Sequence, residues 1–375
     1  MIKSLKIIFI NTLIFVFFIF LIECIFGTWF KNEFKFKLSS ERNIYRVYKF
    51  DFTKHSGTSL YIRDKNGFRI KNKKDIDPKN IDIIFIGGST TNQKFLNYEY
   101  SIVGRISYHY DNISFANAGV DGLSIIGHMS SFEHWFNKIE NFNPKIFIFY
   151  LGVNDFHLIN THDENPLTAA DTLTESSRKA RIREYVESNS FFYKNLRMLK
   201  SVLYLKYGFE KGVNHINKKT VVYHEPSKLV YVPWTEWYQK KPHSKRLFMN
   251  NFDDDYIKNK DNGLYGFDLK KFKKTYSDYL VYLTNAVQNK NSKIVFITQT
   301  DGTGIGFNSY VISQLIMNHC DKYNLKCIHQ AKELDLKVEN FFDSVHLNYG
   351  GSLKASNYLI DKLKPIIDNT DFSKN

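Results

Sequence analysis

The stretch DIIFIGGSTT, Asp82–Thr91, decides how the chain folds. Its apolar residues run without a polar break, and Ile dominates. That pattern suits a strand buried on both faces, as in a parallel sheet, better than a half-exposed strand. Two glycines follow, Gly87 and Gly88. They let the chain turn sharply, so that Ser89 stands at the start of the next helix. A helix start offers unpaired N–H groups and positive potential to a developing negative charge. The same turn also suits a phosphate-binding loop or a plain N-cap serine.

Similar runs recur along the chain. Ile113–Ala116, Lys145–Leu151 (after Pro144), Lys293–Thr298 and Lys326–His329 read as further strands. Helical patterns fill 98–110, 124–140, 269–289, 308–323 and 351–366. Strands alternating with helices predict a three-layer α/β/α domain with a mostly parallel five-stranded sheet. This domain is placed at 80–375, interrupted at about 157–268. The interruption carries helical signals over Ser176–Leu205, then turns aromatic and basic over Tyr223–Arg246. A structureless loop of that length is improbable in a compact domain, so it reads as an insertion or lid, or equally as a second core layer with no functional role. Residues 31–79 are polar, basic and mixed, and read as a juxtamembrane extension; within Leu60–Ile70, Asn66-Gly67 marks a tight hairpin turn.

Composition narrows the class. With 375 residues, 43% hydrophobic and 24% charged, the chain is neither disordered nor collagen-like. Three cysteines exclude a disulfide framework; Cys320 and Cys327 read as buried thiols. The net charge of +14 favours an anionic partner, whether acidic glycan, nucleic acid or membrane surface. Nucleic acid is not expected, because charge alone supports it and no binding motif accompanies it. Ile7–Phe30 is almost continuously apolar. As a helix it would reach roughly 36 Å, enough to cross a ~30 Å hydrocarbon core. A cleaved signal peptide would have a shorter apolar run and small residues at the cut. Residues 1–30 are therefore read as a single-pass transmembrane anchor. Lysines flank it on both sides, and a short N-terminal tail places the catalytic domain on the extracytoplasmic side.

Ligands of open α/β sheets bind beyond the carboxyl ends of the strands. There the sequence gathers Asn117–Gly122, Gly152–Asp155 and, before the last helix, Asp343–Asn348. Each alone is ambiguous; their joint placement with Ser89 is informative. No HExxH motif or His/Cys cluster calls for a metal, and no cofactor is expected. Gly302–Gly306 lacks dinucleotide-loop spacing and reads as a flexible loop near the site.

Together these residues resemble the SGNH, or GDSL-like, hydrolase superfamily, with a flavodoxin-like fold. Four blocks carry the resemblance, in order: Gly87–Ser89, a glycine block ending at Gly122, Gly152–Asp155, and Asp343–His346. It covers roughly 80–156 and 290–366. Gly88 departs from the Asp of the family's G-D-S turn, and the stretch between Asn154 and Asp343 is longer than in compact members. The resemblance implies Ser89 as nucleophile, His346 as base and Asp343 as its orienting carboxylate. It implies an oxyanion hole of the Ser89 and Gly122 N–H groups and the Asn154 amide. The activity implied is a membrane-anchored serine esterase removing an O-acyl group, acetyl by family precedent, from a carbohydrate or cell-envelope molecule. The substrate would be an acylated glycan or lipid-linked molecule, anionic if the net charge reports on it. An O-acyltransferase using the same acyl-serine, and a non-catalytic membrane-tethered glycan-binding module, remain open alternatives.

Overall fold

Alternation along the strands sorts the core into two layers. The structure is a computed structural model that describes residues 2–27, 29–30, 42–52, 55–72, 76–155, 158, 185–186, 189–209, 214–216, 269–300, 302 and 307–373. Five strands lie parallel: β4 (Ile83–Gly87), β5 (Phe115–Asn117), β6 (Ile146–Leu151), β8 (Lys293–Thr298) and β9 (Lys326–Ile328). All five stand where the apolar runs placed them. Successive side chains of a strand face opposite ways. Ile84, Ile86, Phe147, Phe149, Ile294 and Phe296 therefore meet one set of helices, α4 (Ile125–His134), α6 (Leu269–Gln288) and α7 (Phe307–Lys322). Their neighbours Ile83, Phe85, Ile146, Ile148, Val295 and Ile297 meet α3 (Ile102–His109) and the last helix, Tyr349–Asp368, on the other face.

Within the parallel set the spatial order is β5-β4-β6-β8-β9, the flavodoxin-like order. The chain reverses direction across the sheet at β4, with β5 on one side and β6 on the other. Crevices open beyond strand ends at such a switch point. Ser89, Gly122 and Asn154 follow β4, β5 and β6, so the topology brings these three sequence-predicted residues to one edge.

Among the described residues the sheet has nine strands, not the five expected. The four others come from β1 (Ile44–Phe52), β2 (His55–Arg63), β3 (Arg69–Ile70) and the short β7 (Asn214–Ile216), in the order β7-β1-β2-β3 against β5. The segment 44–70, read as a mixed polar extension, forms antiparallel pairs instead. Its polar look concealed scattered buried positions: Val47, Phe50, Tyr61 and Ile62 are buried among charged neighbours. The expected turn is present, with Asp64 N–H donating to Phe68 O at 2.9 Å and Gly67 at φ +88°. It is wider than a two-residue hairpin because Asp64 Oδ1 also accepts from Asn66 and Phe68 N–H.

A second correction concerns sulfur. Cys320 and Cys327 are bonded to each other, with Cα atoms 6.2 Å apart. The end of α7 and the start of β9 run side by side there, which the spacing of a lone pair in sequence did not reveal. At the N-terminus, α1 (Ile2–Phe26) contains Lys6–Phe26, a span long and apolar enough to cross a membrane. Tyr223–Arg246 and residues 303–306 of the glycine loop lie outside the described residues.

Candidate active site

Ser89 opens the four-residue helix α2 (Ser89–Asn92) directly after β4, with Gly88 as its N-cap. Its residue is nearly buried, and its hydroxyl makes no hydrogen bond among the described residues. Gly88 is required where it stands. A Cβ there would overlap the side-chain nitrogen of Asn154.

Asn154 sits in a single 3₁₀ turn after β6, Val153–Asp155. Its Nδ2 donates to Leu123 O at 2.9 Å, which orients the amide across the crevice. Asp155 anchors that turn from below. One oxygen accepts from Ile125 N–H at the start of α4, and the other from the Tyr276 hydroxyl of α6 at 2.8 Å. Gly122 belongs to the turn after β5 and has φ +79°, a conformation open mainly to glycine. This turn tracks β4, since Ala118 and Val120 N–H donate to Phe85 and Gly87 O.

Asp343 and His346 form one closed loop. Phe342 N–H donates to His346 O at 2.7 Å, and a bridge joins Phe341 to Leu347. Gly302 N–H holds the loop from β8 through Ser344 O. His346 Nδ1 lies 2.7 Å from Asp343 Oδ2, while Oδ1 accepts from Val345 and His346 N–H. Burial alone would raise the Asp343 carboxyl; the His346 ring and these hydrogen bonds outweigh it and hold it below the ordinary carboxylate range. A carboxylate only accepts, so Nδ1 carries a proton, which in the neutral imidazole leaves the lone pair on Nε2. Nε2 has no hydrogen-bond partner among the described residues.

The His346 ring stacks edge-on to Phe95, 5.3 Å between centroids, and Phe95 closes the loop that follows α2. Asp121, next to Gly122, also feels the His346 charge. Burial pushes the Asp121 carboxyl up, but Lys94, Asn92 and His346 together pull it below its usual range. The histidine loop, the serine turn and the glycine turn therefore share one edge of the sheet. Ser89 Oγ and His346 Nε2 are not hydrogen-bonded to each other in this state.

Two residues that sequence reasoning missed hold this edge together. Arg69 of β3 is fully buried and donates to the carbonyls of Asn92, Gln93 and Leu96. A helix of four residues cannot satisfy its own carbonyl groups, and Arg69 does it for α2. Burial pushes its guanidinium down to about 10. Arg63 of β2 donates to Asn92 Oδ1, Gly67 O and Gly119 O, tying the serine and glycine turns to the hairpin. Asn92 Nδ2 passes the chain on to Asp121 at 2.7 Å. The signal was present: Arg69 stands between two apolar residues in FRI at 68–70, and Arg63 follows two in YIR at 61–63.

No protein-family model matches the chain, and no curated protein does. Solved structures do. A member of the lipolytic protein G-D-S-L family from Veillonella parvula is 13% identical, covering 77% of this chain and all of that one, with a TM-score of 0.40. The acetyl xylan esterase AlAXEase is 14% identical over 76% of this chain and 100% of its own, with a TM-score of 0.37. An acetylxylan esterase from Geobacillus stearothermophilus is 9% identical over 79% and 97%, with a TM-score of 0.37.

Proposed function

We propose that the protein is a serine esterase of the SGNH type that removes an O-acyl group, acetyl in the first instance, from a glycan or cell-envelope molecule. The observation that carries this reading is the Asp343–His346 pair, 2.7 Å apart, at the same sheet edge as a hydroxyl on a Gly-Gly turn and an amide packed against that turn. The chemistry follows from those positions. Ser89 Oγ attacks the ester carbonyl carbon as His346 Nε2 takes its proton, and Asp343 stabilises the imidazolium. The carbonyl oxygen becomes negative and accepts from Ser89 N–H, Gly122 N–H and Asn154 Nδ2. Collapse breaks the bond to the leaving alcohol, which receives the proton from His346. Water then attacks the acyl-serine with His346 again as base, releasing the acid. Ser89 and His346 would come into hydrogen-bond reach in the substrate complex, where catalytic hydrogen bonds often tighten.

The α1 helix would tether this domain to a membrane. The Cys320–Cys327 disulfide supports an extracytoplasmic location, since such bonds persist in oxidising compartments. A carbohydrate substrate agrees with the acetyl xylan esterases among the similar folds only at the level of substrate class. The test is labelling of the full chain with a fluorophosphonate, with the adduct mapped by mass spectrometry. The adduct is expected on Ser89. Ser89→Ala and His346→Ala should each lower turnover of p-nitrophenyl acetate by about 10³-fold or more with unchanged thermal unfolding. Wild-type turnover by Ser89→Ala would end the reading.

A further inference from the structure

Helix α5 (Phe191–Tyr207) is built inside out. Phe192, Leu196, Leu199 and Leu203 follow the i, i+4, i+7, i+11 spacing of one helix face. Three of the four are exposed, Leu196 at 55% and Leu199 at 51%, and Leu203 is half-buried. Ser201, half a turn away on the side packed against the domain, is 2% exposed. A helix of a water-soluble surface would show the reverse. Lys200 and Lys206 are exposed and flank the apolar stripe on either side. That is where long basic side chains would snorkel from an apolar face to a polar headgroup layer.

The position of the helix names its occupant. Glu23, three residues before the end of the apolar span, caps the N-terminus of α5. Its carboxylate accepts from the Ser190 hydroxyl at 2.5 Å and from Phe191 and Phe192 N–H at 3.0 Å each. The Trp29 indole N–H donates to the same carboxylate at 2.8 Å. Phe26 stacks on Phe191 with centroids 5.3 Å apart, and Trp29 meets Tyr185 at 5.5 Å. A carboxylate inside an apolar span is costly unless satisfied. Here it is satisfied by a second helix that starts where the span ends, among the Trp and Tyr rings typical of a membrane–water boundary.

We propose that α5 is an interfacial helix: its Phe192–Leu196–Leu199–Leu203 stripe lies in the headgroup region of the same bilayer that α1 crosses, with Lys200 and Lys206 toward anionic lipid headgroups. The free apolar face is continuous with the span, which selects lipid over a soluble partner. Because α5 also packs on β1 of the sheet, it fixes the height of the domain above the membrane. The same contact accounts for a retained α1, since cleavage would remove the cap of α5. The inference does not depend on the esterase reading.

The experiment uses full-length protein in vesicles of phosphatidylcholine, with or without phosphatidylglycerol. In a Cys24→Ser background, Leu196→Cys and Leu199→Cys each carry an environment-sensitive nitrobenzoxadiazole label, and Glu133→Cys on α4 serves as a water-exposed control. Shallow spin-labelled lipids should quench the 196 and 199 labels several-fold more than the control, and aqueous iodide several-fold less. Lys200→Glu with Lys206→Glu should weaken that lipid quenching in the anionic vesicles only. Iodide quenching at 196 and 199 equal to the control would overturn the proposal. Lipid protection that vanishes at one copy per vesicle would overturn it too, by naming a second copy as the occupant.

Discussion

The turns closing β4, β5 and β6 and the hairpin β2–β3 meet at Asn92, but they are built by opposite means. The turns use backbone freedom. Gly88 leaves room for the Asn154 amide, and Gly122 takes a positive φ. The hairpin uses two buried guanidinium groups, Arg63 and Arg69, spread over carbonyls of both turns. Under the proposed function, one region offers donors to a reacting molecule and the other holds those donors still. The difference predicts that lesions in the two regions will be separable by measurement.

The largest effect is expected at the amide. Asn154→Ala removes one proposed oxyanion donor and should lower kcat by about 10²–10³, with KM little changed. Its loss of the Leu123 contact should cost only about 1 kcal/mol of stability. Steady-state kinetics beside urea denaturation would check both. A fall in stability without a fall in kcat would turn Asn154 into a structural residue and dissolve the contrast.

Arg69→Met should do the reverse. It leaves the Asn92 and Leu96 carbonyls without a donor, while Gln93 O keeps the Leu96 N–H, and buried unsatisfied groups cost about 1–3 kcal/mol each before relaxation. A net loss of about 3 kcal/mol in urea denaturation is expected. Among molecules still folded, turnover should fall less than in Asn154→Ala. Arg69→Lys should not restore stability, because a point ammonium cannot span the three carbonyls that a planar fork reaches. Full stability in Arg69→Met would mean that water replaces the guanidinium and the hairpin is dispensable.

This contrast also marks where the sequence could be read. Asp82–Gly87 and its parallel partners were legible because burial on both faces leaves an unbroken apolar run. The placement of Ser89, Gly122, Asn154 and the Asp343–His346 pair was legible because each sits at a strand end or in one short loop, where local spacing fixes position; their roles are the proposed part. Residues 44–70 were not. A strand at the side of the sheet interleaves polar residues, and Val47 or Phe50 among lysine and tyrosine resembles a mixed linker. Arg63 and Arg69 act across 56 and 27 residues of sequence, on Gly119 and Leu96. No local pattern encodes such a reach. Cys320 and Cys327 failed for the same reason, since only the packing of α7 beside β9 brings them together.

The smallest effect separates the site from the body of the domain by pH. Asp343, at the site, has a depressed carboxyl, so its contribution is intact above the ordinary carboxylate pKa and is lost only as pH falls through its lower folded value. His319 and His329 lie in the body, and burial, with Lys322 beside the first and Lys332 beside the second, pushes both down to about 4. They stay neutral in the folded protein while the unfolded chain takes up protons at about 6.5. Stability from these two is therefore complete above that value and drains away as pH falls toward 4. Thr284 fixes the tautomer of the neutral His319 ring. Its hydroxyl donates to Leu280 O at 2.9 Å, so its oxygen accepts from His319 Nε2–H, and the ring is packed against Phe296 and Tyr323. Urea midpoints taken from pH 7.5 to 4 should decline mainly between 6.5 and 4, and His319→Phe should flatten part of that decline. Asp343→Asn should leave the slope in that window unaltered while lowering turnover. If Asp343→Asn flattens it instead, the acid sensitivity belongs to the site, and the body of the sheet is not where protons unfold this protein.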